Sequence, residues 1–212
     1  IIDLKLRLME VELADSAMLA IENKLRIEPV RYPVTNFEMR SAYISKGRTS
    51  APEHRFINST IPKLVIVGLV SDDRYEGAYR RNPFVFEHCN VTDITLTIGG
   101  KSVPAIRQSL DWDNRKWYEV FAQFNDALGI LHSGNSPGIS RDMFKTTHCF
   151  FAFECDPMLH SGAQSLTSLG STSLAINFKN PLPQAYYAVI MSMFSDTIEI
   201  DTNREVRVNS LI

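Results

Sequence analysis

The side chains able to do chemistry in this chain are a small set of histidines, cysteines and carboxylates. His148, Cys149, Cys155 and His160 have the types of a zinc set. Read as one strand from Thr147 to Cys155, the two cysteines share a face and stand roughly 20 Å apart. Zinc takes its ligands at about 2.0–2.3 Å, and His148 points to the opposite face. The spacing therefore predicts a core face of Cys149, Phe151, Phe153 and Cys155, with no metal site. Cys89 follows His88, and adjacent residues on a strand face opposite ways, so no thiolate–imidazole pair is expected. Asp72-Asp73 and Asp111 with Asp113 sit in turn contexts, where Asp caps backbone groups. A glycosidase needs two carboxyls facing each other across a cleft. Gly99-Gly100 opens a strand, whereas a phosphate loop needs glycines opening a helix. The expectation is a protein with no catalytic residue, no cofactor and no metal.

Composition narrows the class further. Hydrophobic residues make up 44% of the 212 and charged residues 22%, the balance of a globular chain, and a net charge of −2 gives no field to attract nucleic acid. Three cysteines are too few for a disulfide frame, so a reducing compartment is expected. The glycosylation triplets at Asn58 and Asn90 are read as chance. The longest apolar run, Leu64 to Val70, is far short of the ~20 residues of a membrane helix, so no membrane insertion is expected. The sequence opens at Ile1 on a strand-like pattern and reads as a piece of something longer.

The elements that must position any site are mostly strands. Ile2, Leu4, Leu6 and Leu8 alternate with Asp3, Lys5 and Arg7, a half-buried strand reaching toward Leu13. A short helix over Ala17–Ile21, capped by Asp15 or Ser16, follows. Arg31 to Ile44 is extended, and Ser45 to Pro62 is a long loop. Lys63 to Val70, apolar on both faces, is a central strand between two layers. Phe84 to Phe86 opens another. Asp93–Ile98 and Lys101–Ile106 form a hairpin turned by Gly99-Gly100. Trp117, Val120, Phe121, Phe124 and Leu128 make one clear helix, stopped at Gly129. Strands follow at Thr147–Cys155, Leu174–Phe178 and Tyr186–Phe194, with a terminal hairpin from Thr197 to Val208.

The pattern predicts an all-β sandwich of eight to ten strands with one or two short helices in loops, as one domain over 1–212. Long loops on a rigid sandwich make contacts. The polar loop 71–82 concentrates Tyr75, Tyr79, Arg80 and Arg81, residue types enriched at protein interfaces, and is the candidate interaction site. The other basic clusters, Lys24 with Arg26 and Arg31 with Arg40, read as solvated surface.

From Ile61 to Asn90 the sequence resembles a block of hexon-like major capsid proteins of Polinton/Maverick elements and adintoviruses. The shared order is Ile61-Pro62-Lys63, an apolar strand, Asp72-Asp73, Tyr75 before Gly77-Ala78-Tyr79, then Asn82-Pro83-Phe84-Val85-Phe86-Glu87-His88. Downstream, the hairpin from Leu96 to Pro104, the turn Gly138-Ile139-Ser140-Arg141-Asp142 and Phe150-Phe151-Ala152-Phe153 with Asp156-Pro157 resemble the same family. So do Leu182-Pro183 and Ile198-Glu199-Ile200-Asp201 with Asn203-Arg204. The likeness runs from about Ile2 to Val208.

This resemblance implies a jelly-roll sandwich, one roll of a double jelly-roll capsid protein, with this chain as its C-terminal half. It implies self-association into homotrimers and a capsid lattice, penton or minor capsid proteins as further partners, a place in the virion capsid, and no catalytic residue. Two other functions fit a β-sandwich. One is a host-domesticated binding module for carbohydrate or a receptor, which an aromatic platform at Tyr75 and Tyr79 would favour. The other is an enzyme, which a clefted carboxylate pair would favour.

Overall fold

The computed structural model describes residues 4–104, 109–160 and 168–208. Nine strands lie among them: β1 (Val30–Ile44), β2 (Ser50–Ile57), β3 (Leu64–Ser71), β4 (Val91–Ile98), β5 (Lys101–Val103), β6 (Phe150–Glu154), β7 (Thr172–Phe178), β8 (Tyr186–Ile200) and β9 (Val206–Val208). Four helices accompany them: α1 (Asp15–Ile27), α2 (Asp72–Tyr75), α3 (Tyr118–Ala127) and α4 (Arg141–Thr146).

The pairing is nested. β1 lies beside β8, β2 beside β7, β3 beside β6 and β4 beside β5. Successive pairs alternate between two sheets, giving the order β1-β8-β3-β6 in one and β2-β7-β4-β5 in the other, with β9 added to β8. A hairpin of four strand pairs rolled into two facing sheets is a jelly roll. Its core is the inward row of each sheet. Val65 and Val67 sit opposite Phe153 and Phe151 on one side and Ser192 and Ile190 on the other. Leu96 and Ile94 sit opposite Leu174 and Ile176 in the second sheet. All of these are buried. Removing such side chains from water stabilises by about 1.5–3 kcal/mol each.

The chain divides into two compact units. One comprises residues 4–34 and 196–208 of the described chain and holds α1, β9 and the outer ends of β1 and β8. Ion pairs tie it internally: Arg31 Nε to Glu199 Oε1 and Arg204 Nη2 to Glu22 Oε1, both at 2.7 Å. The other, residues 35–195, holds the remaining strands and α2 to α4.

Local chemistry explains the expected elements that form. Gly99 and Gly100 have φ of 52° and 83°, the positive values the two-residue hairpin between β4 and β5 needs. Gly129 closes α3 at φ 70°. Ala105 and Ile106, expected in the hairpin, and Ile2 and Asp3, expected in the first strand, lie outside the described residues.

Several expectations are overturned. Residues 4–14 belong to no strand, because no described strand pairs with them. The first helix runs over Asp15–Ile27 with Ala14 at its N-cap and no side-chain cap, so neither Asp15 nor Ser16 does that work. The expected loop 45–62 contains β2. Its residues are polar, and register shifts between Ala51 and His54 and between Arg55 and Ile57 erase the period of two; pairing to β7 imposes the strand. Phe84–Phe86 makes only an isolated bridge from Phe86 to His148. α2 and α4 were not expected; Ser140 caps α4, its Oγ accepting from Met143 N at 3.2 Å.

Gly68, in the middle of β3, has a packing reason. A Cβ there would meet Phe86 Cδ1 at 2.5 Å, and Phe86 is held against Phe150 with ring centroids 4.7 Å apart. Gly68→Ala should therefore destabilise the protein by about 1–3 kcal/mol, read as a lower urea midpoint at unchanged slope. An unaltered midpoint would show that the Phe86 ring is free to move.

Candidate interaction surface

The two sheets differ on their outward faces. In the β2-β7-β4-β5 sheet the outward row is polar: Thr95 lies opposite Ala175, and Thr97 opposite Ser173. Asn177 donates to Asp93 Oδ2 at 3.2 Å, and Ser173 Oγ donates to Glu53 Oε1. This is the ordinary alternation of an antiparallel sheet with one wet face.

The β1-β8-β3-β6 sheet is apolar outward as well. Ile66 lies opposite Met191, Gly68 opposite Val189 and Val70 opposite Tyr187. Toward β6, this face is closed: Phe150 is covered by Phe86 and by Phe124 of α3, at 4.7 and 5.8 Å between centroids. Toward β1 it is open. Phe37 is 56% exposed, Met39 68% and Tyr43 55%. Val189, Met191 and Met193 on β8 are half-buried. Tyr43 meets the Tyr187 ring edge-on at 5.3 Å, which places the outward row of β1 on the same face. That row, Thr35 to Tyr43 at every second residue, holds no charged side chain.

The candidate loop rims this face. Tyr75, at the end of α2, stacks on Tyr187 at 4.0 Å and 18° and donates to Ser41 Oγ at 2.9 Å. Tyr79 and Arg80 are exposed, Tyr79 fully so, with no ring against it among the described residues. Arg81 reaches Asp73 Oδ2 at 3.3 Å. The Asp73 carboxyl is held below its usual range, first by the Ser71 hydroxyl that donates to it at 2.6 Å. Of the four expected residues, then, Tyr75 belongs to the sheet face and Tyr79, Arg80 and Arg81 to its polar edge. The sequence reading missed Phe37, Met39, Tyr43, Tyr187, Met191 and Met193. A signal was present: from Tyr186 to Phe194 both alternate rows of β8 are largely apolar.

The groups considered for catalysis are placed otherwise. His88 and Cys89 lie on a turn, not a strand, with Cys89 and Asn90 at φ 47° and 50°. The His88 ring stacks on Trp112 at 4.2 Å, and its Nδ1 accepts from Asn90 N at 3.0 Å. Burial, then the nearby Lys145 charge, lowers its pKa. Burial and the Glu87 carboxylate push the Cys89 thiol up to about 12, and burial does the same to Cys155. Cys149 is fully buried and raised well above its usual value. Cys149 is a core thiol, Cys89 and Cys155 are half-buried against the core, and burial disfavours the thiolate of all three. His160 instead packs against Gly129. A pocket of about 420 Å³ with a mixed lining includes Glu87, His88, Leu182, Pro183 and Tyr186, and the Tyr186 hydroxyl donates to Glu87 Oε2 at 2.8 Å. Asp111 forms an Asx turn, accepting from the amides of Asp113 and Asn114, and Asp113 pairs with Lys179 at 2.8 Å.

No protein-family model matches the chain. It is 30% identical over 196 residues to an uncharacterized protein of Caenorhabditis elegans, covering 91% of this chain and 46% of that one. The chain thus spans about half the length of the curated relative it matches. Among solved structures it superposes on a chain of the Sputnik virophage cryo-EM structure with a TM-score of 0.50, at 10% identity, over 87% of this chain and 39% of that one. On PBCV-1 VP54, fitted into a reconstruction of the virophage Sputnik, the TM-score is 0.52 at 7% identity, over 86% and 52%. The fold is shared. With the nested strand order, these superpositions fix this chain as a jelly roll of the kind found in those two structures.

The buried thiols set a pH dependence. Each keeps its proton in the folded chain at pH values where the unfolded chain has lost it. Stability is therefore full below about pH 9 and falls as pH rises toward about 12. The urea midpoint should decline steadily above about pH 9, and thiol alkylation of the native protein should follow unfolding. Fast alkylation of the folded chain would contradict the placement.

Proposed function

We propose that this protein is a structural subunit of a virus or virus-like shell: a major capsid protein of the Polinton/Maverick and adintovirus type, with this chain as the C-terminal roll of a two-roll subunit. The observation that carries the reading is the second apolar face of the β1-β8-β3-β6 sheet, uncharged and rimmed by tyrosines, on a jelly roll. An antiparallel sheet needs only one apolar face to fold; a second serves contact with something else. The fold shared with a chain of the Sputnik particle and the ordered motifs from Ile61 to Asp201 support the capsid assignment.

The size of the face bears on how it is used. Thr35 to Tyr43 across three strands is about 30 Å by 15 Å, roughly 450 Å² per side. A stable free complex needs about 800 Å² per partner. The face therefore works with other contacts, as in a trimer within a lattice or against a domain on the same chain, where effective concentration replaces area. Homotrimers, the lattice they tile, and penton or minor capsid proteins are the partners of this reading, and the virion capsid is its location. No helix of the described residues is long and apolar enough to cross a membrane. The reading assigns no enzymatic role: burial disfavours the thiolates, Asp111 accepts the amides of its turn, and Asp73 and Asp113 pair with Arg81 and Lys179. A two-ring sugar platform at Tyr75 and Tyr79 is not formed, since Tyr75 stacks on Tyr187 and Tyr79 stands apart.

Sedimentation of the full-length gene product should show a trimer. Met39→Glu combined with Met191→Glu should reduce it to monomers with an unchanged circular dichroism spectrum. Tyr79→Ala should shift stability by no more than about 0.5 kcal/mol while weakening assembly. A wild-type protein that stays monomeric at every concentration and salt would remove the capsid reading.

A further inference from the structure

The segment ahead of α1 has the pattern of a strand, and no described strand pairs with it. Leu4, Leu6 and Leu8 alternate with Lys5 and Arg7, then Met9, Val11 and Leu13 alternate with Glu10 and Glu12. The one-residue change of phase between Leu8 and Met9 is what a β-bulge produces. Yet Leu4 is 88% exposed, Leu6 84%, Leu8 76%, Met9 92% and Val11 72%, and no described strand pairs with the segment. A row of leucines at period two is stable only when one face is buried.

The nested pairing of the described strands leaves this segment out. The eight jelly-roll strands close in nested pairs, and β1, the first, already lies beside β8, the last of the eight. A strand earlier in the chain has no free member to nest with. The curated relative supplies a place for it: this chain matches only 46% of that protein, leaving room there for a second domain of equal size.

We propose that Leu4–Leu13 is a strand of a second β-sandwich on the same polypeptide, with Leu4, Leu6 and Leu8 in that sandwich's core. α1 is then the connection between the two domains. The inference rests on the two-roll part of the proposed function and adds the residues that cross between rolls. A second copy of this chain, pairing at an edge strand such as β1 or β2, is the competing occupant; the length of the relative beyond the matched 46% favours a domain on the same polypeptide.

Hydrogen exchange read by mass spectrometry decides it, on residues 1–212 and on the full-length gene product. In 1–212, amides 4–13 should exchange at the rate of an unprotected chain. In the full-length protein they should exchange at least about 100-fold more slowly, at the level of a paired strand. Leu4→Glu with Leu6→Glu in the full-length protein should abolish that protection and leave β3 and β8 protected. Protection of 4–13 in a full-length monomer that never trimerises would keep this inference and remove the capsid reading. Unprotected amides in the full-length protein would overturn it. So would protection that appears in 1–212 alone as its concentration rises, which would give the strand to a second copy.

Discussion

β3 and β8 are apolar on both faces, and the rest of the structure is arranged around covering those faces. Their inward rows, Val65, Val67, Ala188 and Ile190, are met by the second sheet. Their outward rows need separate cover. On the β6 side it comes from the chain between β5 and β6, which carries α3 and brings Phe124 onto Phe150, and from Phe86 of the β3–β4 connection. Gly68 exists in that scheme so that Phe86 can lie flat on the sheet. On the β1 side the cover ends at Tyr75, and Phe37, Met39 and Tyr43 are left to water.

The groups weighed for catalysis sit in surroundings that damp their reactivity. Reactive groups need partial exposure and a polar neighbour that shifts their pKa toward the working pH. Here burial drives the three thiols the other way, His88 is stacked and hydrogen-bonded, and Asp111 accepts from the amides of its turn. The outward face of β1 and β8 offers apolar area and rings.

Much of the fold was legible in the sequence because its signals are local. The Gly99-Gly100 turn, the helix stopped by Gly129 and the two-sided strand at Leu64–Ser71 each carry their own residues' chemistry. β2 was not legible: its polar residues and two register shifts hide a strand that β7 imposes. α4 hid behind a turn-like Gly-Ile-Ser run whose serine is an N-cap. The first segment misled in the other direction, since a period of two reports a strand without reporting whether its sheet is present. Of the candidate site, Tyr75 was found because it sits in a conspicuous loop. The larger part was missed because Phe37, Met39 and Met191 read as strand formers, and only the strand order shows that no described element covers their face.

The central claim is that the outward face of β1 and β8 is covered in the working protein. Oxidative footprinting tests it directly, because Met39, Met191 and Met193 lie on that face while Met143 and Met158 lie on other elements. The account predicts that oxidation of Met39 and Met191, relative to Met143 and Met158, falls by about tenfold or more between residues 1–212 and the assembled full-length protein. Equal relative rates in the two would mean the face stays open to water, and the account would be wrong.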